Sequence, residues 1–178
     1  MRQLGPTDLK RLHREWHRRT ERRVALLLDS VQSPFNIGAI TRTAAAFKVD
    51  HLYLAAGALS PAHAKAGKTA MGTERYLTWT VFATGTEAAA GARGDGYAVV
   101  GLELTDGAVP LYEIAAGPDV CLAVGHEDHG LSLATLAACD AVAFIPQLGR
   151  VGSLNVATAA AIAIYELRRR EWTAAAAD

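Results

Sequence analysis

Three segments of this 178-residue chain combine glycine with a few side chains able to do chemistry. Ser33 to Arg42 carries the Asn36 amide and the Arg42 guanidinium around Gly38. Gly125 to Ser132 carries Glu127, flanked by His126 and by Asp128-His129. Ile145 to Asn155 carries Gln147, Ser153 and Asn155 among Gly149 and Gly152. Glycine lets backbone approach a ligand closely. Amides and a carboxylate can orient a substrate, and a guanidinium can neutralise developing negative charge. The alternative is local: Asn36 and Ser153 both suit a helix N-cap, and all three segments then reduce to turns and caps. Residue type alone leaves both readings open.

Other motifs exclude themselves. Gly67-Lys68-Thr69 resembles the end of a phosphate loop, but Ala62 stands where that pattern needs its first glycine. Gly91 to Gly96 precedes an apolar run instead of following one, the wrong order for a dinucleotide fingerprint. His126-Glu127-Asp128-His129 offers metal-ligand types without His-Glu-x-x-His spacing, so no metal is expected. Cys121 and Cys139 are too few for a disulfide framework or a Cys-based zinc site.

The elements that must position these segments follow from apolar periodicity. Strands are expected at Val24–Leu28, His51–Ala55, Tyr76–Phe82, Tyr97–Leu102, Val120–Val124 and Ala141–Ile145. Helices are expected at 7–22, Asn36–Phe47, Glu87–Arg93, Leu131–Ala138 and Leu154–Arg170, with Gly57–Gly72 irregular. Strands alternating with helices predict an α/β domain with a mainly parallel sheet flanked by helices. The three polar segments then all follow strands, at the carboxyl ends where such sheets bind ligands.

At 18.8 kDa with 51% hydrophobic and 20% charged residues, the chain has the size and composition of one globular domain. Its longest apolar or small-residue stretch, Val156–Tyr165, is ten residues, against about 20 for a membrane span. No apolar signal-like run opens the chain, so a cytoplasmic protein with no membrane association is expected. The net charge of zero hides an asymmetry: residues 1–23 carry a surplus of five positive charges, and residues 24–165 a surplus of five negative. A basic helix on an acidic body is a possible nucleic-acid footprint or, more simply, a solvated face. It is read as part of the same domain, with 24–171 as the main body and 172–178 as a frayed tail.

Asn36-Ile-Gly-Ala-Ile-Thr-Arg42, Gly125-His-Glu-Asp-His-Gly-Leu-Ser132 and Ile145-Pro-x-x-Gly149-x-x-x-Ser153-Leu-Asn155 resemble, in order, the three motifs of the SpoU/TrmH family of RNA ribose 2′-O-methyltransferases of the SPOUT superfamily. The similarity spans about residues 24–168. It implies a C-terminal deep trefoil knot, S-adenosylmethionine as cofactor, a homodimer and an RNA substrate, with a tRNA guanosine favoured and rRNA next. The implied catalytic positions are Asn36, Arg42, Glu127, Ser153 and Asn155; the implied cofactor positions are Leu102, Gly125, Ile145, Ser153 and Leu154. With the family in view, Arg11, Arg14, Arg18, Arg19, Arg22 and Arg23, and Lys65 and Lys68 with Arg75, become candidate RNA contacts, and small residues Ala157, Ala160 and Ala161 a candidate dimer face. His126 stands where the family often has a smaller polar residue such as Asn, and Asp128-His129 replaces a pair that commonly includes Gly. The competing expectations are an RNA-binding protein that keeps the fold without the chemistry, and a metal-dependent small-molecule enzyme using the His126–His129 loop.

Overall fold

The computed structural model describes residues 1–115 and 117–174. Seven strands form one sheet in which every pairing is parallel: β1 (Val24–Asp29), β2 (His51–Ala55), β3 (Trp79–Phe82), β4 (Ala98–Leu102), β5 (Val109–Pro110), β6 (Val120–Val124) and β7 (Ala141–Phe144). Their spatial order is β3-β2-β1-β6-β4-β7-β5. Two late strands are therefore inserted between earlier ones, β6 between β1 and β4, and β7 between β4 and β5.

The continuous apolar run of β1 reflects burial on both sheet faces. Val24, Leu26 and Leu28 point to one core, shared with helix α2 (Pro34–Ala46) and helix α6 (Val156–Ala174). Ala25 and Leu27 point to the other, under helix α4 (Gly85–Gly94). Three aspartates hold the register at the opposite edge from the polar loops. Asp50, Asp119 and Asp140 each precede a strand and accept a backbone N–H at the start of a neighbour, from Val24 at 2.9 Å, Arg23 at 2.9 Å and Val99 at 2.7 Å. A one-residue slip would break each bond and turn the side chains to the wrong face.

Several expected boundaries shift. The first helix, α1 (Pro6–Arg18), ends before residue 22, where Thr20 folds back to donate its hydroxyl to the Trp16 carbonyl at 2.9 Å. Strand β3 starts only at Trp79, because Thr73–Tyr76 is a 3-10 turn. The stretch expected to be irregular contains helix α3 (Ala64–Ala70), which Gly67 disguised in the sequence. It packs so tightly on α2 that a Cβ at Gly38 would lie 2.5 Å from the Ala66 carbonyl oxygen. The two-residue β5 ends in Pro110, tolerable only at a sheet edge. Helix α5 is only Leu133–Ala137, its start set by the Ser132 hydroxyl accepting from the Thr135 N–H at 3.2 Å.

Helix α6 differs from expectation in three ways. It runs on through Trp172 to Ala174, so the tail assigned to 172–178 begins as packed helix; residues 175–178 lie outside the described residues. The Trp172 indole N–H donates to the Thr20 hydroxyl at 2.9 Å, and its ring meets Trp16 edge-on at 4.9 Å, the contact that seats α1 on the body. Ala157 and Ala160 face the chain's own core and are not available as a dimer face; the exposed apolar residues of α6 are Ile162 and Tyr165. The third difference is Arg168, which is 1% exposed. Its guanidinium donates to the carbonyls of Phe47 (3.0 Å), Arg22 (2.6 Å) and Lys48 (2.5 Å) and to Glu171 (3.2 Å). Glu171 in turn accepts from the backbone N–H of Glu21 and Arg22.

Four of the five guanidinium N–H groups and both carboxylate oxygens of this buried pair are engaged, so removing one partner strands the other. Arg168→Ala is expected to cost about 3–5 kcal/mol in a denaturant titration. Arg169→Ala, removing an exposed pair with Glu166, should leave the same titration nearly unchanged.

Candidate active site

The three polar segments meet at the carboxyl ends of β1, β6 and β7, and a single carboxylate joins them. Glu127 accepts from the Ser33 N–H at 2.9 Å, the Gln32 N–H at 3.4 Å and the Asn36 side-chain amide at 2.9 Å. The Asn36 carbonyl oxygen accepts from the Asn155 amide at 2.9 Å. Asn155 also caps α6, its oxygen accepting from the N–H of Ala157 at 3.0 Å and Thr158 at 3.2 Å. Neither Asn36 nor Ser153 is an N-cap. Ser33 caps α2, which leaves Asn36, 4% exposed, free to bridge Glu127 and Asn155.

Beside this network lies a cavity of about 320 Å³ between the ends of β4, β6 and β7. Leu102, Gly125, Ile145, Ser153 and Leu154 all line it, and so does Glu127. The volume lies at the lower end of the range for small-molecule sites, roughly 300–1,000 Å³. Gly125 must be glycine, since a Cβ there would sit 2.0 Å from the Gly130 carbonyl carbon. His126 and Gly130 exchange both backbone hydrogen bonds at 2.9 Å, closing the loop into a tight hairpin along one wall. The His126 and His129 rings stack with centroids 5.0 Å apart and also line the cavity. Among the described residues, no group of three or more His, Cys, Asp or Glu is arranged to hold a metal. Burial pushes both thiols up, Cys139 to about 11, so neither is a thiolate nucleophile at neutral pH.

The remaining candidates are dispersed. Arg42 is exposed on α2 and lies outside the cavity lining. Six positions on from Asn36, it lies about 9 Å further along the axis and roughly 120° around it. Arg11, Arg14 and Arg18 form an exposed stripe on α1, and Arg22 is exposed beyond its end. The Arg19 guanidinium lies 4.8 Å from the centre of the Trp16 ring. Arg23 is engaged by Asp119 at 2.8 Å and lies over the Tyr97 ring, a structural contact at the far edge of the sheet. Lys65 and Lys68 are exposed on α3, and Arg75 lies over the Tyr76 ring. Sequence reasoning missed Glu103, which also lines the cavity.

Residues 23–165 match the SpoU rRNA Methylase family. This chain belongs to that family. It is 35% identical over 146 residues to a 23S rRNA (guanosine(2553)-2′-O)-methyltransferase of Bacillus subtilis, covering 82% of this chain and 58% of the relative. It is 30% identical over 172 residues to the tRNA (guanosine(18)-2′-O)-methyltransferase of Escherichia coli, covering 96% of this chain and 73% of that one. The AdoMet-bound rRNA methyltransferase of Sinorhizobium meliloti superposes with a TM-score of 0.77 at 30% identity, over 85% of this chain and 58% of that structure. This SpoU-family chain thus spans somewhat over half the length of some relatives it matches. Among the described residues, no helix is long and apolar enough to cross a membrane.

Burial alone would raise the Glu127 carboxyl. The hydrogen bonds from Asn36, from its own backbone and from Ser33 and Gln32 outweigh it and hold the carboxyl below its ordinary range. Its contribution to stability is therefore complete above the ordinary carboxyl value of about 4.3, and is lost as pH falls through the lower folded value. Unfolding free energy followed from pH 7 downward should show less acid loss in Glu127→Gln than in the unaltered chain.

Proposed function

We propose that this chain transfers a methyl group from S-adenosylmethionine to a ribose 2′-hydroxyl of RNA, a tRNA guanosine being the first target and rRNA the next. The observation that carries the proposal is the cavity lined by Leu102, Gly125, Ile145, Ser153 and Leu154 with the Glu127–Asn36–Asn155 network as its neighbour. Its fit to the cofactor rests on backbone and apolar side chains of three loops, suited to a flat adenine, with polar Ser153 and Glu103 on the same lining. The relatives named for guanosine 2′-O-methylation of tRNA and 23S rRNA support the substrate class.

When bound, the cofactor supplies an electrophilic methyl on a positively charged sulfur. The chain's own task is to place a 2′-oxygen in line with that methyl and to manage its proton. Glu127, Asn36 and Asn155 act by positioning, since a correctly held geometry can remove several kcal/mol from the barrier. Arg42 acts on the developing oxyanion or an adjacent phosphate as a cation, and water takes the 2′-hydroxyl proton. Using it as the base would mean lowering a guanidinium pKa by about 5 units, roughly 7 kcal/mol. Ser153 completes the cavity rim facing the reacting centre.

The wider architecture follows from the same reading. The insertion of β6 and β7 between earlier strands, and the packing of α6 across α2 and β6, support a C-terminal trefoil knot. A homodimer through the exposed Ile162 and Tyr165 face of α6 would let one subunit's basic α1 serve the other's site. Residues 24–171 then form the catalytic body and 1–23 an RNA-binding arm, with Lys65 and Lys68 as a second edge.

The test is methyl transfer from labelled S-adenosylmethionine to unmodified total tRNA and, separately, to rRNA, with nucleoside mass spectrometry. Arg42→Ala should lose at least 100-fold in rate while still binding cofactor. Arg42→Lys should stay low, because lysine deprotonates more easily but lacks the bidentate fork. Full activity in Arg42→Lys would make residue 42 the base; no transfer to either RNA by the unaltered chain would defeat the proposal. Adding salt should weaken RNA binding steeply, and Arg11→Ala with Arg14→Ala should flatten that dependence by close to two units of slope.

A further inference from the structure

Glu103 follows β4 and belongs to none of the three motif segments, yet it lines the cavity. One oxygen accepts from the Leu104 N–H at 3.0 Å and the other from the Leu131 N–H at 3.0 Å, so the side chain ties the end of β4 to the loop after β6. Gly130 makes this approach feasible. It has φ +67°, and a Cβ there would lie 2.1 Å from the second Glu103 oxygen. Each oxygen takes one backbone donor and keeps a further lone pair. Glu127, by contrast, already takes three donors from Ser33, Gln32 and Asn36.

The charge balance of the cavity is one-sided. Glu103, Glu127 and Asp128 line it, and no lysine or arginine does. Asp128 is exposed at the rim, so Glu103 is the cavity carboxylate not already committed to the catalytic network. The proposed cofactor and its product differ by little more than a methyl group and one charge. S-adenosylmethionine is a net monocation at neutral pH, and S-adenosylhomocysteine, a thioether, is net neutral.

We propose that Glu103 determines cofactor specificity, its fixed negative charge favouring the sulfonium cofactor over the neutral thioether product. The inference rests on the reading of this cavity as the S-adenosylmethionine site. The backbone hydrogen bonds of Glu103 stabilise the loop for either ligand, whereas its charge distinguishes them. Product release after transfer is thereby assisted, because the attraction ends when the sulfur loses its charge.

Dissociation constants for S-adenosylmethionine and S-adenosylhomocysteine, measured separately by calorimetry, test this directly. Glu103→Gln should weaken the cofactor about five- to tenfold, the loss of one carboxylate's attraction for one cation in a half-open cavity. The product should change less than twofold. Equal loss for both ligands would reduce Glu103 to a loop brace and overturn the proposal. Should Glu103→Gln fold poorly, the unaltered chain carries the test: its preference for cofactor over product should shrink between 0.05 and 1 M NaCl as the Debye length contracts to about 3 Å. A salt-independent ratio overturns the proposal as well. Binding of neither ligand by the unaltered chain would instead remove the cofactor reading itself, a result distinct from equal loss in the variant.

Discussion

The arrangement of the site depends on one carboxylate being shared by three loops. Glu127 draws the loop after β1 toward the loop after β6 through two backbone N–H groups, and reaches α6 through Asn36 and Asn155. Such charge-assisted bonds are stronger than neutral ones. The three residues alternate acceptor and donor along one chain of hydrogen bonds. Asn36 is nearly inaccessible, so an unsatisfied amide there would be costly. The network is rigid because each member is needed by the next, and the cavity wall inherits that rigidity.

A second buried assembly holds the other end of the molecule. Arg168 and Glu171 collect three carbonyls and two backbone N–H groups from the chain segments around residues 20–23 and 47–48. Helix α6 is thus fixed at its start by Asn155 and near its end by Arg168, which sets its course across α2. The basic α1 is attached beyond this point through Trp16, Thr20 and Trp172, and buries none of its own residues. An arm joined at one end to a rigid body can present positive charge away from an acidic sheet domain.

The cavity lies beside the Glu127 network, at the ends of β4, β6 and β7, and its walls are shaped by backbone. Gly125 and Gly130 bring the loop after β6 against itself and against Glu103, where any side chain would collide. Glycine is therefore required at both positions for geometry, independently of any ligand. Arg42 stands apart from the cavity lining, exposed on α2.

Local periodicity was enough to place most strands and the helices between them, because two-sided burial writes continuous apolar runs such as Val24–Leu28 into the chain. It also exposed the three glycine-rich segments, and the charge asymmetry was plain arithmetic. What it did not contain was which strands become neighbours. The insertion of β6 and β7 depends on contacts between residues far apart in sequence, and Glu127 meets Asn36 across 91 positions. For the same reason Ser153 looked like a helix cap, when Asn155 fills that place and Asn36 is held for Glu127. Helix α3 was hidden by Gly67, since its stability comes from close packing on Gly38 and not from its own propensity. In the sequence Arg168 is one of three consecutive arginines, Arg168–Arg170, with nothing to set it apart; only the folded chain surrounds it with carbonyls. Sequence determined the elements and the chemical groups, because those follow from local burial and residue type. Tertiary structure decided the partners, because a hydrogen bond between distant residues leaves no periodic trace in the chain.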